Sequence, residues 1–182
     1  IFASVGIINA INLIDGVNGL SSGFCFIASV LFATMFYSVG DHAMAIIASS
    51  AAGAIIPFFF HNVFGYKSRM FIGDGGTLLM GIMMSAFVIS IIDKQSSCTI
   101  HSNAGMSMTA FVLAVLAIPV FDTIRVMFSR ILRRTSPFHP DRTHLHHLFI
   151  NLGFSHAGTT ISILTMNSII VMSWFATYKA GA

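Results

Sequence analysis

Long apolar runs alternate with short polar segments along the chain, and the lengths of the runs predict its elements. A helix needs about 20 apolar residues to cross a hydrocarbon core. Four runs come near that length: 20–40, 43–60, 76–92 and 108–128. A fifth covers 158–178, and residues 1–10 read as the tail of a sixth. Inside lipid every backbone N–H and C=O needs an internal partner, so these runs are expected to be helices. Small residues gather in AIIASSAAGA, which favours close helix contact. Pro119 is expected to kink its helix or to mark a break in it. The expected fold class is all-α: a polytopic transmembrane helical bundle of about five spans plus the end of a sixth, in a single integral-membrane domain over 1–182.

Composition agrees with the pattern. The chain is 55% hydrophobic and 8% charged, with mean hydropathy +0.86. Soluble domains carry roughly 25% charged residues, so the bilayer is the expected solvent. The acids are all aspartates, and the absence of glutamate argues against soluble helices laced with ion pairs. A net charge of +3 is modest and implies no nucleic-acid partner. Cys25 and Cys98 stand far apart and form neither a disulfide framework nor a metal pattern. The start, IFASVGIINA, lacks a basic n-region and a cleavage site. It reads as a longer protein cut within a helix, not as a signal peptide.

Charge then assigns sides. By alternation, segments 11–19, 61–75 and 129–157 share one face. They hold Lys67, Arg69, Arg130, Arg133, Arg134 and Arg142, with Arg125 at the adjoining helix end. The other loops hold Lys94, and Lys179 follows the last span. The positive-inside rule places the first face in the cytoplasm. Every dense polar motif lies on it.

The first motif is NAINLIDGVNG, residues 9–19. Asn9, Asn12 and Asp15 recur at helical spacing, and Gly16 and Gly19 open a turn that a ligand can approach closely. A glycine-capped polar helix end is the plain alternative. The second is FIGDGGT, residues 71–77. Asp74 among glycines at the start of a span suits a hard cation such as Mg2+, which takes one or two carboxylates plus phosphate oxygens and water. Asp74 serving only as a helix cap is its plain alternative. Asn62 upstream adds a polar contact or is simply interfacial. The third is HPDRTHLHH, residues 139–147. A helix there puts His144 and His147 on one face and His146 on another. With no cysteine near and only Asp141 adjacent, zinc is a poor fit. A cradle in which Arg142 and the imidazoles donate hydrogen bonds to a diphosphate fits better. Asp122 and Arg125 in PVFDTIR are spaced for an ion pair, which reads as structural. The run RILRR, residues 130–134, suits anchoring to anionic headgroups.

Together NAINLIDGVNGL, MFIGDGGTLLMG with Asn62 before it, PVFDTIRV and SPFHPDRTHLHHLF resemble the polyprenyl-phosphate N-acetylhexosamine-1-phosphate transferases of glycosyltransferase family 4. The resemblance covers nearly the whole chain and is nearest to the branch that moves GlcNAc-1-phosphate. It implies an enzyme of about ten or eleven helices, with the present chain as its C-terminal portion and its N-terminal half missing. It implies a site on the cytoplasmic face of a bacterial inner (plasma) membrane, Mg2+ or Mn2+ as cofactor, and UDP-HexNAc and undecaprenyl phosphate as substrates. The products it implies are a polyprenyl-diphosphate sugar and UMP, in the first step of a lipid-linked cell-envelope polysaccharide. A homodimer is compatible with it. By position, Asp74 matches the metal-binding aspartate, and Asp74, Asp15 and His144 are the expected catalytic residues. Asn12, Asn18, Asn62, Arg142, His146 and His147 are the expected substrate-binding residues.

Two departures stand out. The family's motif is DGxDG, and here Asn18 stands in place of the second acid, keeping hydrogen bonding but losing a charge. The family also has a paired Asp-Asp on an earlier helix, and no Asp-Asp occurs in this chain. Two other functions compete: a divalent-metal or proton transporter, because intramembrane acids and histidines mark ion paths, and a non-catalytic homologue or truncated membrane scaffold.

Overall fold

The computed structural model describes residues 1–65, 70, 72–97, 102–137 and 142–180. Lys67, Arg69, Cys98, His139 and Asp141, which entered the sequence reading, lie outside the described residues, as does the side chain of Lys179. Among the described residues the chain is helical with no strand. The helices are α1 (Phe2–Leu13), α2 (Leu20–Ser38), α3 (His42–Phe64), α4 (Gly73–Ser97), α5 (Ser102–Val115), α6 (Ala117–Leu132), α7 (Leu145–Asn151) and α8 (His156–Ala180). α2, α3, α4 and α8 are each long and apolar enough to cross a bilayer, and α5 with α6 makes a fifth if the bent pair is one span. α1 is a shorter apolar helix, as expected of a partial span. The chain is a polytopic helical membrane protein.

α2 packs chiefly on α3 and α1 on α4. The small residues expected to allow close contact do so: Ala45, Ala48, Ala51 and Ala52 are all on the buried side of α3. A Cβ added to Gly81 of α4 would come within 2.8 Å of the Ile8 Cα of α1, so here the two backbones nearly touch. Phe32 and Phe36 of α2 meet Phe87 of α4 and Phe111 of α5, with ring centroids 5.6–5.8 Å apart across the helices. This cluster fills the core with large rings whose own packing adds to the burial. The outward faces are apolar too: Ile46, Leu79, Ile82, Ile161 and Met172 are exposed, as lipid-facing side chains should be.

The chain direction alternates. At one end of the bundle Asp41, which caps α3, pairs with Lys94 near the end of α4 at 3.1 Å. The start of α2, the end of α3 and the start of α4 therefore gather at the other end. α5 and α6 meet at 69° across Leu116. The break lies ahead of Pro119, which instead sits in the first turn of α6, where its missing N–H is tolerated. Asn167, buried on α8, closes the gap: Nδ2 donates to Val115 O (3.1 Å) and Oδ1 accepts from Ile118 N–H (3.2 Å).

Candidate functional site

The motif at 9–19 ends α1 and opens α2. Gly19 has φ +77°, a left-handed conformation that a side chain would strain. Its N–H donates to Asn62 Oδ1 at 2.6 Å, and Asn62 Nδ2 donates to Met70 O at 2.7 Å. Asn62 is buried, so both ends of its amide are committed to the backbone. It thereby ties the end of α3 to the loop ahead of α2 and to the approach to α4. The Asn18 carbonyl accepts from Thr160 Oγ1 of α8 at 2.8 Å. Asn12 Oδ1 accepts a hydrogen bond from the Thr77 hydroxyl, joining α1 to the first turn of α4. That turn carries Asp74, which is exposed.

Asp15 is half-buried in the 14–19 loop, and Oδ1 accepts from Ser21 Oγ at 2.6 Å. Burial pushes its carboxyl above the usual range, the Ser21 hydrogen bond opposes this, and the negative charge of Asp74 raises it further. The two aspartates of separate motifs thus feel each other. Asn9 is exposed on α1.

The histidine motif is held by α6. Asp122 is buried, and its carboxylate collects four groups. Oδ2 lies 2.9 Å from His144 Nδ1. The Leu145 N–H lies 3.1 Å from both oxygens, and Arg125 reaches Oδ1 from Nη2 (2.7 Å) and Nε (3.2 Å). Arg125 Nη2 also donates to Thr143 O at 2.6 Å. The expected Asp122–Arg125 ion pair exists, but it anchors residues 143–145 as well as its own helix. Arg142 is exposed just before them.

The helix begins at Leu145, so His144 is its cap, with φ −59° and ψ 152°. His144 is therefore outside the helix, and the expected sharing of a face by His144 and His147 gives way. The rings of His144 and His146 lie nearly parallel instead, 6.0 Å apart at 7°. The His147 ring centroid is 4.2 Å from that of His146. Burial pushes the His146 imidazole down to about 4, helped by the neighbouring His147 and His144 and opposed by Asp122. His146 is thus neutral near pH 7 and carries a single N–H.

His146 also joins the motifs. A Cβ on Gly16 would collide with its Nε2 and lie 2.9 Å from its Cδ2. The imidazole thus rests against the backbone next to Asp15. In this way the structure brings together the 12–19 loop, Asn62, the first turn of α4 and residues 143–147. Thr77, Ser21, Thr160 and Asp122 complete the frame. Thr77 and Asp122 were visible as members of quoted motifs. Ser21 and Thr160 carried no signal in an apolar background.

Among the described residues, no three His, Cys, Asp or Glu side chains form a ready-made cage for a metal. The residues nonetheless fit a hard divalent cation. Asp74 offers exposed oxygen donors on the turn that Thr77 ties to Asn12, at the end of α1 from which the Asp15 loop leads. Mg2+ needs no more than this from protein when phosphate oxygens and water fill the other positions.

The family described as glycosyl transferase family 4 matches residues 1–92. An undecaprenyl-phosphate alpha-N-acetylglucosaminyl 1-phosphate transferase of Yersinia pestis is 30% identical over 94% of this chain and 46% of its own length. A decaprenyl-phosphate N-acetylglucosaminephosphotransferase of Mycobacterium leprae is 32% identical over 92% of this chain and 44% of its own. A probable undecaprenyl-phosphate N-acetylglucosaminyl 1-phosphate transferase of Bacillus subtilis is 31% identical over 93% and 44%. The chain thus spans less than half the length of these curated relatives.

Proposed function

The chain belongs to glycosyl transferase family 4, and from that premise we propose that its protein moves a HexNAc-1-phosphate from a UDP-sugar to undecaprenyl phosphate. GlcNAc-1-phosphate is the favoured group, since the relatives named above carry that sugar in their names. One observation carries the reading. Gly16, beside Asp15, touches His146, while Asn12 of the same motif bonds Thr77 in the turn that carries Asp74. Three segments scattered over the sequence meet where a phosphate-handling site would need both a cation ligand and neutral or cationic donors.

In the proposed reaction an oxygen of the lipid phosphate attacks the sugar-linked phosphorus of the donor in line. A new P–O bond forms, the bond to the bridging oxygen breaks, and UMP leaves with that oxygen. Mg2+ or Mn2+, bound at Asp74, would supply positive charge against the diphosphate. Arg142 is exposed next to the histidines and is assigned to outer phosphate oxygens. Neutral His146 donates its single N–H. Asn12, Asn18 and Asn62, expected to bind substrate, make protein contacts around the 14–19 loop: Asn12 accepts from Thr77, the Asn18 carbonyl accepts from Thr160, and Asn62 holds Gly19 in its left-handed turn. Direct attack is preferred to an aspartyl intermediate. The acceptor is amphiphilic, so the site belongs at the membrane interface, on the cytoplasmic side of a bacterial inner membrane, where the basic loops are assigned.

The test is exchange of labelled UMP into UDP-GlcNAc by the protein in detergent or nanodiscs. Exchange that depends on Mg2+ and disappears in Asp74→Asn is the expected result. Absence of exchange with every UDP-HexNAc offered would remove the reading, and full activity in Asp74→Asn would remove Asp74 from the metal role.

A further inference from the structure

The i,i+3 spacing predicts a structural ion pair of Asp122 with Arg125, yet the Asp122 carboxylate is buried and faces the histidine motif. An ionised carboxylate can only accept, so the proton in the His144–Asp122 hydrogen bond sits on Nδ1. In the neutral ring, Nε2 then carries the lone pair. It accepts a proton or a hydrogen bond and donates neither. His144 Nε2 is buried and has no hydrogen-bond partner among the described residues. An acceptor atom left without a partner here can take a proton or a hydrogen bond from a hydroxyl of the substrate or from water. It also separates His144 from the donor role that its motif suggested.

We infer that Asp122 is a positioning residue for the transfer reaction: through His144 Nδ1 and the Leu145 N–H it fixes the tautomer and the seat of His144, so that Nε2 is presented as an acceptor. This rests on the reaction proposed above and on the place of His144 beside His146 in the 143–147 segment. Arg125 completes the clamp by holding Thr143 O and Asp122 Oδ1 together. The assignment of the two oxygens makes the consequence of one substitution specific. In Asp122→Asn the remaining oxygen is claimed by Arg125 and the Leu145 N–H. The amide NH2 then faces His144 Nδ1 and donates to it. The imidazole proton must move to Nε2, turning the presented acceptor into a donor while the shape of the site is kept. Asp122→Glu keeps both acceptor oxygens on a longer arm.

The experiment has two readouts on the same full-length protein. The first is 15N NMR of histidine-labelled protein at a pH where the rings are neutral, with the His144 signals assigned by their loss in His144→Gln. Wild type is expected to show a protonated Nδ1 and a bare Nε2 at His144, and Asp122→Asn the reverse. The second is the steady-state rate of UMP release. Asp122→Asn is expected to lower kcat at least about tenfold to a hundredfold, the loss seen when the carboxylate behind a metal-bound histidine is removed, with little change in KM. Asp122→Glu is expected to recover part of that loss. A wild-type His144 protonated on Nε2 overturns the inference, and this holds even if the variants fail to fold. So does an Asp122→Asn protein with an unchanged tautomer, or with kcat within about twofold of wild type. If the wild type releases no UMP from any UDP-HexNAc, the proposed reaction fails, and the NMR result still decides whether Asp122 sets the ring.

Discussion

At Gly16 a hydrogen atom stands where any other residue would carry a carbon, and that carbon would overlap His146. Gly16→Ala is therefore expected to push the imidazole away from the 12–19 loop while leaving the helices in place. A displacement of about 1 Å in a site of this kind can cost on the order of a hundredfold in rate. The check is kcat/KM for the transfer, with thermal stability measured alongside. Equal kcat/KM in Gly16→Ala and wild type would mean that the contact does not matter. His146 itself makes a pH prediction. Its folded value of about 4 lies below the ordinary 6.5, so between these values the unfolded chain binds a proton that the folded one does not. Stability contributed by the buried neutral ring is complete above pH 6.5 and is lost as pH falls toward 4. The loss is of the order of 3 kcal/mol at most. Thermal unfolding across that window should show the slope, and His146→Gln should flatten it. At this scale the sequence made the chemistry legible but not the pairing. Helical periodicity assigned His144 to a helix that begins one residue later. Burial, which spacing alone does not reveal, made His146 neutral.

Among the elements, the bend between α5 and α6 is the most exposed to test. In lipid a broken helix leaves backbone groups that only protein can satisfy, and Asn167 takes one on each side of Leu116. Asn167→Leu keeps the branched shape at Cγ but leaves Val115 O and Ile118 N–H unpaired. It is expected to lower stability by about 1–3 kcal/mol. It should also lower the rate, because Asp122 lies less than two turns beyond the break. Unfolding by heat or denaturant in micelles gives the first number, and an unchanged midpoint would show that the latch carries no energy. The spans were legible because their lengths match a bilayer. The break was legible from Pro119 only to within a few residues. Proline rules out an ordinary helix interior but is welcome in a first turn, so the chain turns ahead of it. The partner of the break, one asparagine on a distant apolar helix, had no local signature.

Across the whole molecule, alternation of spans decides what can meet. With Asp41 and Lys94 paired at one end, the loops bearing the motifs fall together at the other, as counting spans from the sequence had placed them. Counting could not show which residues join the loops. Gly19 with Asn62, Asn12 with Thr77, and Gly16 with His146 are contacts between segments that share no sequence pattern. The departure at Asn18 likewise acquires a context only in three dimensions, where its carbonyl is fixed by α8. The central claim is that these joined loops transfer a sugar phosphate rather than a sugar. It is tested most directly by supplying the protein and undecaprenyl phosphate with UDP-GlcNAc labelled at the sugar-linked phosphorus. Label passing into the organic lipid phase in the presence of Mg2+, with unlabelled UMP left in water, is the predicted result. Label remaining in the aqueous phase, as released UDP or as intact donor, would contradict it.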